Sequence, residues 1–180
     1  MIAAEFHPLD RHSVVTCGKS HISFWVLDQG GTLYKRMGIF ENRDKPKYVT
    51  CLAFTQNGDT LSGDSNGNII IWGRGNKKQN IASLIKKFIH FSINNYFPGT
   101  NTILKVIRNV HEGAIFSLCV LKDGNVVSGG GKDGKLILLD SELQPTGEET
   151  TVGEQYGGVR QISEGRGSQL LVGTFTPCPC

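Results

Sequence analysis

Residues 126–139, with the sequence VVSGGGKDGKLILL, decide the fold. The β-branched and apolar residues at both ends predict two strands. The Gly- and Asp-rich centre predicts a tight turn between them, because these residues tolerate left-handed backbone angles. The pattern occurs twice more, as LSGDSNGNIIIW at 61–72 and VTCGKSHISFW at 15–25. The recurrence predicts a repeat protein built from one strand–turn–strand unit.

The spacing of the copies predicts the size of the unit. The spacing from Trp25 to Trp72 is close to the length of a four-stranded propeller blade, roughly 40–45 residues. The spacing from Trp72 to its counterpart Leu139 is longer, and removing residues 76–99 would bring it back to the length of one blade. We therefore predict an all-β partial propeller over 1–175, with three four-stranded blades and the start of a fourth. Its units are 2–36, 48–107, 111–147 and 159–175, with an insert at 76–99 and a divergent tail at 176–180.

The insert differs in composition from the repeats. Four apolar residues have helical spacing and two lysines lie on the other side: Ile81, Leu84, Ile85 and Phe88, then Lys86 and Lys87. A basic amphipathic helix could bind an anionic membrane or a calmodulin-like partner. The alternative, which we favour, is a protruding loop without a selected role. We also hypothesise that 76–99 is translated intron, which sequencing the transcript across this junction would test.

Charge and cysteine usage exclude several classes of protein. The chain carries a net charge of +3, yet 65–111 holds seven basic residues and no acidic one. No nucleic-acid-reading module accompanies that run, so we expect no nucleic-acid partner. There is neither a basic-then-apolar leader nor an apolar run of about 18 residues, so we expect neither a signal peptide nor a membrane partner. Five cysteines without regular spacing argue against a disulfide framework and favour the cytoplasm.

Three kinds of chemical site fit the sequence poorly. Gly129, Gly134 and Lys135 partly fit a phosphate-binding loop, but Leu136 replaces the required hydroxyl, and a strand follows where a helix is needed. The histidines and cysteines, including the pair in 178–180, lack the paired spacing of a zinc site. No acid–base constellation falls on the strand ends. We therefore expect no enzyme activity, no catalytic residues, no metal and no cofactor.

Units with a Gly/Asp turn before a strand that ends in Trp resemble the blades of WD-repeat propellers. The third unit matches best. His111, Ser128 and Asp133 fall where that family places the His, Ser/Thr and Asp of a buried hydrogen-bond network. The resemblance implies a structural role for these three residues. Leu139 stands where the network has Trp, so only part of the network is expected.

Six motifs narrow the resemblance to the echinoderm microtubule-associated-protein-like family, and they come in that family's order: 6–10 (FHPLD), 15–21 (VTCGKSH), 45–49 (KPKYV), 57–60 (NGDT), 128–133 (SGGGKD) and 154–157 (EQYG). The resemblance implies a fragment from the middle of the family's first propeller. It also implies a scaffold of the cytoplasm and cytoskeleton that binds microtubules or tubulin, but no motif identifies the contact residues. The alternative is a general protein-interaction propeller, or an inactive truncated product, without tubulin preference.

Overall fold

The chain folds as a series of antiparallel sheets in a computed structural model that describes residues 1–40, 45–73 and 101–175. The first sheet contains β1 (Ala3–His7), β2 (Asp10–Gly18), β3 (His21–Leu27) and β4 (Leu33–Met37). The second contains β5 (Val49–Phe54), β6 (Thr60–Asp64), β7 (Ile69–Gly73) and β8 (Thr102–Ile107). The third contains β9 (Ile115–Val120), β10 (Val126–Gly130), β11 (Lys135–Leu139) and β12 (Pro145–Thr151).

The last pair is β13 (Val159–Glu164) with β14 (Leu170–Thr174), preceded by a short 3-10 helix at Glu154–Tyr156. Within every sheet the spatial order of the strands equals their order in the chain. Each sheet is therefore a meander, and the predicted all-β architecture of three four-stranded blades and the start of a fourth is confirmed.

The first strand of each sheet contacts the first strand of the next, so β1, β5, β9 and β13 line a common axis. Apolar side chains fill the space between neighbouring sheets. Trp72 is 1 % exposed and packs with Ile22 and Phe24 of the first sheet. Leu139 is fully buried and packs with Leu61 and other residues of the second sheet. Burial between blades, and not within one, is thus the main source of hydrophobic stabilisation.

The register places the predicted counterparts at equivalent positions. Trp25 pairs with Val14, Trp72 with Thr60, and Leu139 with Val126, in each case across the second and third strands of a sheet. Trp25 differs only in being partly exposed. The three side chains therefore share one position in successive radial sheets.

The Asn-Gly pair at 57–58 predicts a two-residue hairpin turn, and the Asp-Gly pair at 123–124 predicts the corresponding turn of the third blade. Hairpins form at both places, but the loops are longer and span 55–59 and 121–125. Only the glycines take positive φ, +82° at Gly58 and +92° at Gly124. A two-residue turn of the Asn-Gly type needs positive φ at both central residues, so a longer loop with glycine in the left-handed position forms instead.

Strand β12 is the fourth strand of the third blade and extends past 147, where that unit was predicted to end. Its residues, PTGEETT, are all exposed and carry no apolar alternation. Backbone pairing to β11 holds the strand in place. The predicted helical pattern at 81–88 and the tail at 176–180 lie outside the described residues. Across the residues that the structure describes, no helix has the length and apolar character needed to span a membrane.

Candidate protein-interaction face

The blades present two sets of loops. The first set, here called the inter-blade face, contains the turns between second and third strands and the connections between sheets: 18–21, 45–48, 64–68, 108–114, 131–134 and 152–158. The second set, the hairpin face, contains 7–10, 28–32, 55–59, 121–125, 140–144 and 165–169. The meander topology puts each set at its own end of the blades.

The three residues singled out from the WD-repeat resemblance meet beneath the inter-blade face. His111 Nε2 lies 2.9 Å from Ser128 Oγ, and His111 Nδ1 lies 3.0 Å from Asp133 Oδ2. The Asp133 carboxylate also accepts hydrogen bonds from the backbone N–H groups of Glu112 and Lys135. The trio therefore ties the connection into the third blade to the turn between β10 and β11.

The contact chain Ser–His–Asp has the order of a nucleophilic triad, but its environment does not suit one. Ser128 has no exposed surface, and its Oγ also lies 3.4 Å from the carbonyl oxygen of Ile137 within the sheet. A serine that substrate cannot reach does not act as a nucleophile. The hydrogen bonds of the trio instead hold two loops together, and each contributes about 0.5–1.5 kcal/mol net.

The other blades carry the complementary half of this network, which was not predicted from the sequence. Trp72 Nε1 donates to Ser62 Oγ, and Trp25 Nε1 donates to Thr16 Oγ1, both at 2.9 Å. The first two blades thus keep the Trp–hydroxyl bond, and the third keeps His–Asp–Ser with Leu139 in place of Trp. The equal spacing of each hydroxyl residue from its Gly/Asp-rich turn was the signal available in the sequence.

Asp133 should give the chain a pH-dependent contribution to stability. Burial alone raises the pKa of its carboxyl, but the N–H groups of Lys135 and Glu112 and the neighbouring His111 outweigh it, so the pKa lies below the ordinary 3.8. A carboxyl whose pKa is lowered by folding stabilises the folded state above its ordinary pKa and loses that effect as pH falls through the lowered value.

We expect Asp133→Asn to lower the free energy of unfolding at pH 7, and the difference from the native chain to shrink as the pH approaches 3. Urea unfolding followed by circular dichroism at pH 7, 5 and 3 measures both. Asp123→Asn, on the hairpin face, controls for the loss of one carboxylate. A difference that is the same at pH 7 and pH 3 would contradict the assignment.

The inter-blade face carries three exposed lysines near the junction of the first two blades: Lys19, Lys45 and Lys47. Lys19 pairs with Tyr48 in a β-bridge, and the N–H of Ser20 donates to the carbonyl of Lys47 at 2.9 Å. Among residues 1–40, 45–73 and 101–175, none of the three lysines contacts a carboxylate. Their charge is therefore available to a partner.

The hairpin face has the opposite character. Seven carboxylates lie on or beside its loops: Asp10, Asp28, Asp59, Asp123, Asp140, Glu142 and Glu164. Lys122 is ion-paired there, with its Nζ 3.7 Å from Glu164. The inter-blade loops, by contrast, hold five basic and four acidic residues, so the two ends of the blades differ in charge.

A family model described as the echinoderm microtubule-associated protein first beta-propeller matches residues 1–178. The chain belongs to this family. It is 44 % identical to human echinoderm microtubule-associated protein-like 1 over 97 % of its own length and 18 % of that protein. It is also 44 % identical to the 77 kDa echinoderm microtubule-associated protein of Strongylocentrotus purpuratus, covering 97 % of the chain and 22 % of the relative. Mouse echinoderm microtubule-associated protein-like 2 is 41 % identical, with coverages of 97 % and 23 %.

This member of the family therefore spans about a fifth of the length of these curated relatives. A solved structure, the WD40 beta propeller domain of Doa1, superposes with a TM-score of 0.66 over 96 % of this chain and 47 % of the other. The sequence identity is only 15 %, so this likeness concerns the fold. It establishes the sheets as WD-repeat propeller blades.

Proposed function

We propose that the chain is a non-enzymatic propeller scaffold that binds microtubules or tubulin in the cytoplasm and helps to organise the cytoskeleton. Membership of a family whose members are named microtubule-associated proteins supports the choice of partner. The difference in charge between the two ends of the blades is the observation that supports the choice of binding surface. The partner lies against the inter-blade face, where Lys19, Lys45 and Lys47 have no carboxylate partner among the described residues.

Cosedimentation with microtubules assembled from purified tubulin tests this proposal. We expect the chain to pellet with the polymer, and the bound fraction to fall as salt rises from about 50 to about 300 mM, because exposed charges are screened within a shorter distance. Chains with and without 76–99 should pellet equally. A folded chain that stays in the supernatant at low salt would overturn the choice of partner and leave the general protein-interaction propeller as the function.

Charge reversal locates the binding surface. The double variant Lys19→Glu and Lys47→Glu should reduce pelleting at least tenfold, about 1.4 kcal/mol or more for two charges that change sign at a contact. The matched control is Lys35→Glu with Lys122→Glu, which makes the same change in net charge away from this face. Equal losses in both double variants would show that net charge, and not this face, governs binding.

A further inference from the structure

The axis of the blades carries a row of three β-bulges at one level. In β5 the pairing passes from Val49 directly to Cys51 and leaves out Thr50. The same shift leaves out Phe116 in β9 and Arg160 in β13. A bulge gives one residue no partner across the ladder and turns its side chain away from the regular alternation. The fold therefore repeats one device on three successive blades to direct these side chains into the space around the axis.

Only the third of these side chains has unused polar groups. The Thr50 hydroxyl lies within hydrogen-bond distance of the carbonyl oxygens of Gly63 and Ile115, and its one proton is donated between them. The Phe116 ring packs edge-on against Phe175, with ring centres 5.5 Å apart. The Arg160 guanidinium lies over both rings, 5.5 Å from the centre of Phe116 and 5.2 Å from that of Phe175.

Stacking holds the Arg160 guanidinium in position and leaves the N–H groups at its edge open. Arg160 is exposed, and across the described parts of the chain it makes no hydrogen bond and no ion pair. A planar guanidinium of this kind matches a carboxylate through two parallel hydrogen bonds. Because its stem is already fixed, less side-chain entropy is lost when such a ligand binds.

Thr50, Phe116 and Arg160 line a groove of about 470 Å³. Its lining mixes apolar residues with polar ones, among them Ser117 and Gln161. Leu52, Leu118 and Ile162, one from each of three inner strands, also line it but are buried in the packing between blades. Glu5 lines the same groove from β1, and no ion pair joins it to Arg160 within the described residues. The groove thus offers one fixed cation and one separate anion.

We propose that this axial groove binds an acidic segment of the partner protein, with a partner carboxylate on Arg160. This inference rests on the proposed function, in which the partner protein is tubulin. It follows from charge complementarity that Glu5 opposes an acidic segment. Removing the charge of Arg160 should weaken binding, and removing that of Glu5 should not.

Two probes test the groove with the whole chain. The first is microtubules in the cosedimentation assay; the second is a fluorescent peptide of alternating glutamate and leucine, with a glutamine–leucine peptide as its uncharged counterpart. We expect Arg160→Gln to weaken binding of both acidic probes by about tenfold or more, as for loss of a charge-assisted hydrogen-bonded pair. Arg160→Lys should restore only part of the loss, and Glu5→Gln should bind as tightly as the native chain or more tightly.

Lys35→Gln is the matched control, because Lys35 is also an exposed cation over an aromatic ring, 5.0 Å from the centre of Trp25, but on the outer strand β4. Thermal unfolding of each variant establishes that it is folded. If Arg160→Gln and Lys35→Gln bind microtubules equally well, the groove is not the binding site, while the proposed function stands. If the peptide binds in an Arg160-dependent way but the chain does not pellet with microtubules, the groove is a binding site and the proposed function is wrong. If the chain binds neither probe, both proposals are wrong.

Discussion

Replacing Trp72 with alanine is expected to lower the free energy of unfolding by about 3–5 kcal/mol, the range found for removing a buried Trp or Phe. Trp72 is 1 % exposed and lies between the first two blades, with Phe24 and Phe40 at ring-centre distances of 5.9 and 5.1 Å. Its removal leaves a cavity between blades and takes away the donor to Ser62 Oγ. Urea unfolding followed by far-ultraviolet circular dichroism measures the change.

Trp25→Ala is the matched control for this prediction. Trp25 occupies the equivalent position and donates the equivalent hydrogen bond, to Thr16, but its ring is partly exposed. Less buried surface is lost, so we expect a cost of about 1–2 kcal/mol. Equal costs at the two positions would contradict the view that packing between blades, and not the Trp–hydroxyl bond, provides most of the stability.

Gly67→Ala should destabilise the chain by about 2–5 kcal/mol, the sum of left-handed backbone strain and overpacking. Gly67 has a φ of +80°, and a Cβ there would overlap the carbonyl oxygen of His111. The carbonyl of Gly67 also accepts the N–H groups of Val110 and His111, so the turn of the second blade is bonded to the entry of the third. A Cβ at this contact would therefore require the backbone of one of the two blades to move.

Gly31→Ala separates the two parts of that cost. Gly31 has nearly the same φ, +82°, but an added Cβ would meet nothing within 4 Å. We expect only the strain, about 1–2 kcal/mol. Urea midpoints for the two variants, measured side by side, give the difference. If Gly67→Ala costs no more than Gly31→Ala, the inter-blade loops are not packed as described.

Apolar pattern and turn chemistry were enough to predict the strands that face another blade. The apolar runs at 49–54 and 115–120 predict strands, and β5 (Val49–Phe54) and β9 (Ile115–Val120) have these bounds. These segments are rich in β-branched or aliphatic residues, and burial depends on that pattern. The third-blade strand β12 lacks the pattern because an outer strand exposed on both faces needs only backbone pairing, which any polar residue allows.

The candidate site was predictable only in part. The hydrogen-bonding trio could be named from the family motif, but the lysine cluster needed the topology, since Lys19 meets Tyr48 and Lys47 only when two blades stack. The bulges at Thr50, Phe116 and Arg160 were not visible, because a bulge is a property of register and no residue type marks it here. Surface recognition sites of this kind arise from neighbouring units, and a single stretch of sequence does not contain them.

Hydrogen–deuterium exchange of the chain with and without microtubules tests most directly the claim that the partner is recognised by one end of the blades. Amides that lose solvent access on binding exchange more slowly. The account predicts slower exchange in the inter-blade loops at 18–21, 45–48, 108–114, 131–134 and 152–158, and no change in the hairpins at 121–125, 140–144 and 165–169. Slower exchange confined to the hairpin loops would contradict it.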